Sequence, residues 1–361
     1  MIPVTITITK THSPAPKPAA GTALGFGNYF TDHMFLADYT PQSGWQNARI
    51  EPLHPLCLHP ASGVFHYGAE VFEGLKAYRT PDGGIQLFRP WDNISRLNDS
   101  AERMGLPAVD PELCLEAIQT LVRTEADWVP SHPGTSLYLR PFLFCTDARL
   151  GIHGVRNATL CIIASPAGSY YTGGMTPVRI LIEQEDVRAV RGGTGYAKCG
   201  GNYAASNRAT VRAEGLGYDQ VLWLDGVERR YIEEVGAMNV MFKIDGTVVT
   251  PSLTGSILPG ITRRTCITLL REAGIPVEER RLSVEELMTA AENGALEEAW
   301  GCGTAAVISP IGCLGFQNTD HCVRDGGIGP VSQMLYDTIT DIQFGRVPDT
   351  HGWTCPVPTG A

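Results

Sequence analysis

The sequence predicts an α+β protein of two domains, and three observations carry that reading. Its 361 residues, at roughly 150 per domain, allow two separate cores. Short apolar or alternating runs recur between segments of helical periodicity, with more strands than a doubly wound sheet needs. A stretch rich in Pro, Gly, Ser and Thr, from Pro166 to Pro177, punctuates the chain near its middle. These features predict a smaller first domain over 1–165, an interdomain loop over 166–177 and a larger second domain over 178–361.

Residues 1–21 alternate Thr with Val or Ile and then turn Pro/Ala-rich, which suits a flexible arm better than a folded element. The runs Ile85–Phe88, Leu137–Leu143 and Thr159–Ile163 read as strands. Between them, Pro90 is a favourable first-turn residue for a helix running to about Met104. A second helix opens at Pro111-Glu112 and carries Leu113, Ala117, Leu121 and Val122 on one face. In the second half Val178–Ile182 and Gln220–Leu224 read as strands, with a helix expected from about Tyr203 to Glu214 between them. Asp245-Gly246, set between Met238–Ile244 and Thr247–Thr250, is the strongest hairpin signal in the chain. Ser283-Val-Glu-Glu286 is a capping box that opens a helix toward Ala291.

The formal charge is −10, from 38 acidic against 28 basic side chains, and no Lys/Arg block occurs. Phosphate backbones and acidic membranes are therefore poor partners. No stretch approaches the ~18 uncharged apolar residues of a membrane span, and the N-terminus lacks a signal-peptide core. Ten cysteines are scattered with no CxxC, which suits reduced thiols and a cytoplasmic location. Nine histidines show no HExxH or ligand-pair spacing, so no metal site is expected. Only five of the 28 basic residues are Lys: Lys10, Lys17, Lys76, Lys198 and Lys243. A primary amine with an adjustable pKa forms a Schiff base where guanidinium cannot, so each lysine is worth examining.

Four constellations bear on chemistry. In Arg191-Gly-Gly-Thr-Gly-Tyr-Ala-Lys-Cys-Gly-Gly-Asn-Tyr203 one lysine sits among five glycines. Ala197 before Lys198 and Cys199 after it exclude a P-loop; a solvated lysine and a catalytic amine remain as alternatives. Pro259-Gly260 turns into a helix whose first N–H groups, at Ile261 and Thr262, form either an anion cradle or an ordinary helix start. Glu233 and Glu234 are adjacent at the end of a strand, where either alternation faces one carboxylate inward to a cationic partner and the other outward, or both lie on a solvated edge strand. Gly301–Ala306 is a small-residue turn that either brings the Thr304 hydroxyl to an anion or simply turns the chain.

Ordered matches from Phe26 to Arg346 resemble the branched-chain amino-acid aminotransferases, pyridoxal-phosphate enzymes of fold type IV. They include Phe26-Gly-Asn-Tyr-Phe-Thr-Asp-His-Met34, His66-Tyr67, Phe72-Glu-Gly-Leu-Lys76, Arg96-Leu-Asn-Asp-Ser100 and Ser136-Leu-Tyr-Leu-Arg-Pro141. Lys198-Cys-Gly-Gly-Asn-Tyr203, Glu234-Val-Gly236, Leu258-Pro-Gly-Ile-Thr262, Gly303-Thr-Ala305 and Asp341-Ile-Gln-Phe-Gly-Arg346 follow in the second half.

The resemblance implies that Lys198 binds pyridoxal 5'-phosphate as a Schiff base and later moves the substrate proton. It implies Glu234 at the pyridine nitrogen, Tyr203 at the phenolic oxygen, and Arg96, Ile261, Thr262 and Thr304 around the phosphate, with Arg188 a further basic residue near it. Phe26, Tyr67, Phe72, Tyr138 and Tyr170 correspond to an aromatic box for Leu, Ile or Val side chains, with Arg140 and the Thr304-Ala305 turn at the carboxylate end. Leu150 and Ile152 match a loop that reaches into the partner's site in a homodimer. The implied reaction is ping-pong transfer of an amino group from a branched-chain L-amino acid to 2-oxoglutarate, giving a 2-oxo acid and glutamate. Rival readings are a D-amino-acid aminotransferase, an aminodeoxychorismate lyase, or a binding protein without turnover. Two departures stand out: Ala306-Val-Ile-Ser309 replaces the CxxC that some animal members carry, and Ala237 stands where the family often has Thr.

Overall fold

The computed structural model describes residues 5–19, 21–168 and 175–358. The chain divides into two compact units: Met1–Thr172 with Ala197–Gly200 and Asp341–Ala361, and Gly173–Tyr196 with Gly201–Thr340. Compactness thus groups Asp341–Ala361 with the first unit, where the sequence boundary places it in the second domain.

In the first unit, in chain order, lie β1 (Thr7–Ile8), β2 (His33–Thr40), β3 (Gly44–Pro52), α1 (Gly63–Tyr67), β4 (Glu70–Phe72), β5 (Leu75–Arg79) and β6 (Ile85–Phe88). There follow α2 (Pro90–Met104), α3 (Pro111–Thr124), β7 (Ser136–Cys145) and β8 (Ala158–Ala167). Pro166 and Ala167 thus extend a strand by two residues beyond the expected start of the loop. Gly105, at φ 66°, ends α2 in the left-handed conformation that glycine adopts without strain. Asp110 starts α3 by accepting the Leu113 N–H at 3.0 Å.

The second unit begins with β9 (Val178–Ile182), and α4 (Gly200–Ala204) opens on the last residue that groups with the first unit. It continues with α5 (Asn207–Gly215), β10 (Gln220–Leu224), β11 (Ile232–Val235), β12 (Met238–Ile244), β13 (Thr247–Pro251), α6 (Ile261–Glu272) and β14 (Val277–Arg280). Then come α7 (Val284–Glu292), β15 (Leu296–Gly303), β16 (Val307–Phe316), β17 (Thr319–Cys322) and α8 (Pro330–Gln343); β18 (Thr354–Pro356) belongs to the first unit.

The first sheet runs β1-β3-β2-β8-β7-β5-β6-β18, with β4 on β7. Its long antiparallel strands alternate: Leu137 and Leu139 join Phe35, Ile162, Leu97 and Leu121 in the core cluster that includes α2 and α3 residues. Tyr138 and Arg140 therefore project from the opposite face. The N-terminal arm is more tethered than its composition suggests. Thr7–Ile8 pair in parallel with Arg49–Ile50, and the N–H groups of Thr11 and Ala15 donate to His33 Nε2 (2.8 Å) and Asp32 Oδ1 (2.7 Å).

The second sheet runs β11-β10-β9-β16-β15-β12-β13-β14, and a further β11–β12 pairing closes a ring of six strands. The Asp245-Gly246 turn joins β12 to β13 with φ of 45° and 78°, the pattern of a type I′ hairpin. Ser283 caps α7 through the Glu286 N–H, as the capping box predicts. The single helix expected over 203–214 is two. The Ser206 N–H and hydroxyl both donate to the Tyr203 carbonyl, closing one turn, and α5 starts anew at Asn207.

Candidate active site

Lys198 is set by its two neighbours. Ala197 and Cys199 are each 1% exposed and Cys199 belongs to the first unit's core, so the side chain between them is turned away from that core. The backbone is pinned on both sides: the Lys198 N–H donates to Ser100 Oγ (2.9 Å), and its carbonyl accepts the Phe72 N–H (2.9 Å). Nζ lies 4.8 Å from the centroid of the Phe72 ring. Burial pushes its pKa down to about 8, Arg96 and Arg140 adding to the effect while Glu73 and Tyr138 oppose it. Near neutrality this amine is far closer to its neutral, nucleophilic form than a surface lysine.

Arg96 projects from α2 and is paired at Nε and Nη2 with the carboxylate of Glu73, at 2.7 and 2.9 Å. Asn93 Nδ2 adds a third donor at 2.8 Å. Burial raises the Glu73 carboxyl, but Arg96, Lys198 and Asn93 outweigh it and hold the group below the usual range. Glu73 thus balances both cations. The sequence reading singled out Arg96 but not Glu73; a buried arginine on an apolar helix face demands a carboxylate, and that was the available signal.

Around the amine, the first unit gathers much of the expected substrate box. Phe26 meets Tyr138 edge-on with ring centroids 4.7 Å apart. The Arg140 guanidinium lies over both Phe72 (4.8 Å) and Tyr138 (5.3 Å), with Nη2 donating to the Tyr138 hydroxyl at 3.0 Å. Arg140 Nε is buried without a hydrogen-bond partner. Gly74 makes room for this arrangement, since a Cβ there would meet the Tyr138 hydroxyl at 2.0 Å. Tyr67 accepts the Gly151 N–H at 2.9 Å, and Leu150 and Ile152 on that loop are 66% and 91% exposed. Tyr170 lies outside the described residues.

In the second unit, Glu234 is 3% exposed; its Oε1 accepts the Leu258 N–H (2.9 Å), and Oε2 pairs with Arg188 Nε (2.7 Å). Arg188, expected beside a phosphate, is engaged here by Glu234 and by the carbonyls of Gly195 (3.1 Å) and Ser256 (2.6 Å). Gly195 permits that approach, because a Cβ would stand 2.2 Å from the Ser256 carbonyl oxygen. Helix α6 starts at Gly260 with no side-chain cap, so Ile261 and Thr262 sit in a first turn whose N–H groups suit an anion. Thr304 and Ala305 lie in the turn joining β15 to β16, and Tyr203 lies in α4.

One expectation needs correction. Glu233 does not face solvent: it is 6% exposed, because β11, in the closed ring of strands, is buried throughout its length. Among the described residues there is no cluster of metal-ligand side chains, and no helix is long and apolar enough to cross a membrane.

The first unit thus holds a half-buried lysine of lowered pKa beside aromatic side chains, and the second holds a clamped carboxylate and a helix start without a side-chain cap. The chain belongs to the class IV amino-transferases, whose family model matches residues 70–312. Among them it falls with the branched-chain amino-acid aminotransferases. It is 54% identical over 343 residues to branched-chain-amino-acid transaminase 1 of Bacillus subtilis, covering 95% of this chain and 96% of that protein. The crystal structure of the Escherichia coli branched-chain amino acid aminotransferase superposes with a TM-score of 0.77 at 28% identity, over 91% of this chain and 99% of that one. The T.th. enzyme, solved with pyridoxamine 5'-phosphate, gives 0.75 at 27% identity, over 89% and 98%. The fold is therefore fold type IV, and the protein is an aminotransferase of branched-chain amino acids.

Proposed function

We propose that the enzyme moves the amino group of L-leucine, L-isoleucine or L-valine to 2-oxoglutarate through pyridoxal 5'-phosphate, releasing a branched-chain 2-oxo acid and L-glutamate. The observation that carries this reading is Lys198, an amine lowered to about 8 beside an aromatic box that ends in a partnerless Arg140 Nε. The residues present fit the cofactor: a primary amine for its aldehyde, an uncapped helix start for its phosphate and a buried, clamped carboxylate for its ring nitrogen. When bound, pyridoxal phosphate supplies an aldehyde carbon that receives the amino group and a ring that accepts the electron pair left at the substrate Cα.

The chain's own residues do the rest. Lys198 Nζ would hold the aldehyde and, once the substrate amine has displaced it, would take the Cα proton within each half-reaction and pass it to the carbon that carried the aldehyde. Glu234, held by Arg188 and the Leu258 N–H, would stand at the ring nitrogen and favour a proton there. Tyr203 donates to the phenolic oxygen. Ile261, Thr262, Thr304 and Arg96 would hold the phosphate, Arg96 contributing a permanent charge on a guanidinium whose Nε–Nη2 edge is anchored on Glu73. Arg188 serves this site through its grip on Glu234.

Phe26, Phe72 and Tyr138, with Tyr67 and Tyr170, enclose an aliphatic side chain. Arg140 and the Thr304-Ala305 turn receive the carboxylate end. The exposed Leu150 and Ile152 support a homodimer in which each loop completes its partner's pocket. The dimer works in the cytoplasm on free amino and 2-oxo acids, with neither nucleic acid nor membrane as partner.

Initial rates with L-leucine and 2-oxoglutarate varied together test the two half-reactions. Parallel double-reciprocal lines are expected; intersecting lines, or consumption of D-leucine in place of the L form, contradict the reading.

A further inference from the structure

Ala197–Gly200 packs with the first unit, while the chain before and after it belongs to the second. The backbone that carries Lys198 is therefore held by a few contacts. Ser100 Oγ takes the Lys198 N–H, and the Phe72 N–H donates to the Lys198 carbonyl. A third contact lies two residues past the amine, where the Gly200 N–H donates to Glu70 Oε1. The reaction above gives Glu70 no part.

Strand β4 aims this carboxylate. Val71 and its β7 partner Leu143 belong to the core cluster, so alternation turns Glu70 and Phe72 to the opposite face, which also carries Tyr138 and Arg140. Glu70 is partly buried, and burial raises its carboxyl more than the Gly200 N–H and Arg140 lower it. Losing water there costs free energy, and the bond from the Gly200 N–H compensates. The fit is tight enough to require glycine. A Cβ on Gly200 would collide with Glu70 Oε1 and meet its Cδ at 3.3 Å, and apart from its own stretch of chain nothing else comes within 4 Å. Gly200 has no positive φ, so the contact and not the backbone conformation excludes a side chain.

We propose that Glu70 is a positioning residue for Lys198: by holding the Gly200 N–H it fixes the backbone from which the amine projects. The proposal rests on Lys198 carrying the cofactor. Glu70 acts on the amine through geometry, since the largest charge effects on Lys198 come from Arg96, Glu73, Tyr138 and Arg140. Burial is what depresses the Lys198 pKa, so a segment released from Glu70 lets Nζ reach water and regain an ordinary lysine value. A misplacement of about 1 Å is enough to slow a positioned reaction by roughly a hundredfold.

The test is uptake of pyridoxal phosphate by the apoenzyme, followed by absorbance across pH, together with kcat for L-leucine and 2-oxoglutarate. In Glu70→Ala the uptake midpoint should rise above the wild-type value, and kcat should fall about tenfold or more. Glu70→Gln retains an oxygen for the Gly200 N–H, so it should keep the wild-type midpoint and a kcat within about threefold of wild type. Gly200→Ala should reproduce Glu70→Ala, and the double variant should be no worse than Glu70→Ala, because the added Cβ then has no carboxylate to displace. A Glu70→Ala enzyme that melts lower but keeps the wild-type midpoint would reduce Glu70 to a structural support and overturn the proposal. Additive losses in the double variant, or a Glu70→Gln enzyme as impaired as Glu70→Ala, would overturn it equally. A wild type that takes up no cofactor overturns it together with the role of Lys198, a result distinct from failure of the Glu70 variants alone.

Discussion

Glu73 is the residue on which the balance of charge around the amine turns. It is 1% exposed and faces both Arg96 and Lys198, so Glu73→Gln leaves a buried guanidinium without its counter-charge. Breaking a buried pair in this way costs about 3–5 kcal/mol, which denaturant titration would register. The same change acts on Lys198, because Glu73 draws its pKa upward against burial and Arg96. The neutral amine is the form that attacks an aldehyde, so cofactor uptake by the apoenzyme should rise with pH and level off above about 8. In Glu73→Gln the midpoint should move to lower pH; a midpoint that stays or climbs would show that Glu73 does not govern the amine.

At the scale of elements, what the sequence disclosed was whatever local signals determine. Pro90 opens α2, Pro111 opens α3, and Asp245-Gly246 turns the β12–β13 hairpin, all from chemistry within a few residues. The misreadings arose where periodicity and alternation do not register a side-chain hydrogen bond or burial of both strand faces. Periodicity alone did not reveal that Ser206 splits the 203–214 helix, and alternation put one of Glu233 and Glu234 outward although β11 is buried on both faces. Family resemblance singled out Lys198, Glu234 and the pocket aromatics, whereas Glu73 and Ser256 carry no local signal because their partners lie more than twenty residues away along the chain. Two substitutions test the elements. Ser283→Ala should cost about 1 kcal/mol through the lost cap on α7. Gly260→Ala should do more damage, and to cofactor affinity as well, since the added Cβ would meet Asn239 Oδ1 at 1.8 Å where α6 begins. A Gly260→Ala enzyme with unchanged stability and cofactor affinity would show that the α6 start has more freedom than this geometry allows.

For the whole molecule, the last residues are structural members of the first unit. Strand β18 pairs with β6, Gln86 donates to the carbonyls of Ile342 (2.9 Å) and Gln343 (3.0 Å), and Val357 lies in the core. Removing residues 346–361 strips an edge strand and a core side chain from the unit that carries Lys198. The shortened protein should melt at a clearly lower temperature and lose cofactor readily on dialysis; wild-type melting would deny the tail its structural role.

The visible spectrum of the purified protein, with and without L-leucine, for wild type and Lys198→Ala, bears most directly on the central claim that one lysine amine carries the cofactor and moves the proton. Wild type should be coloured and should bleach when L-leucine is added, while Lys198→Ala should show no comparable conversion. Bleaching of the variant at the wild-type rate, or a colourless wild type that takes up no pyridoxal phosphate, would contradict the account.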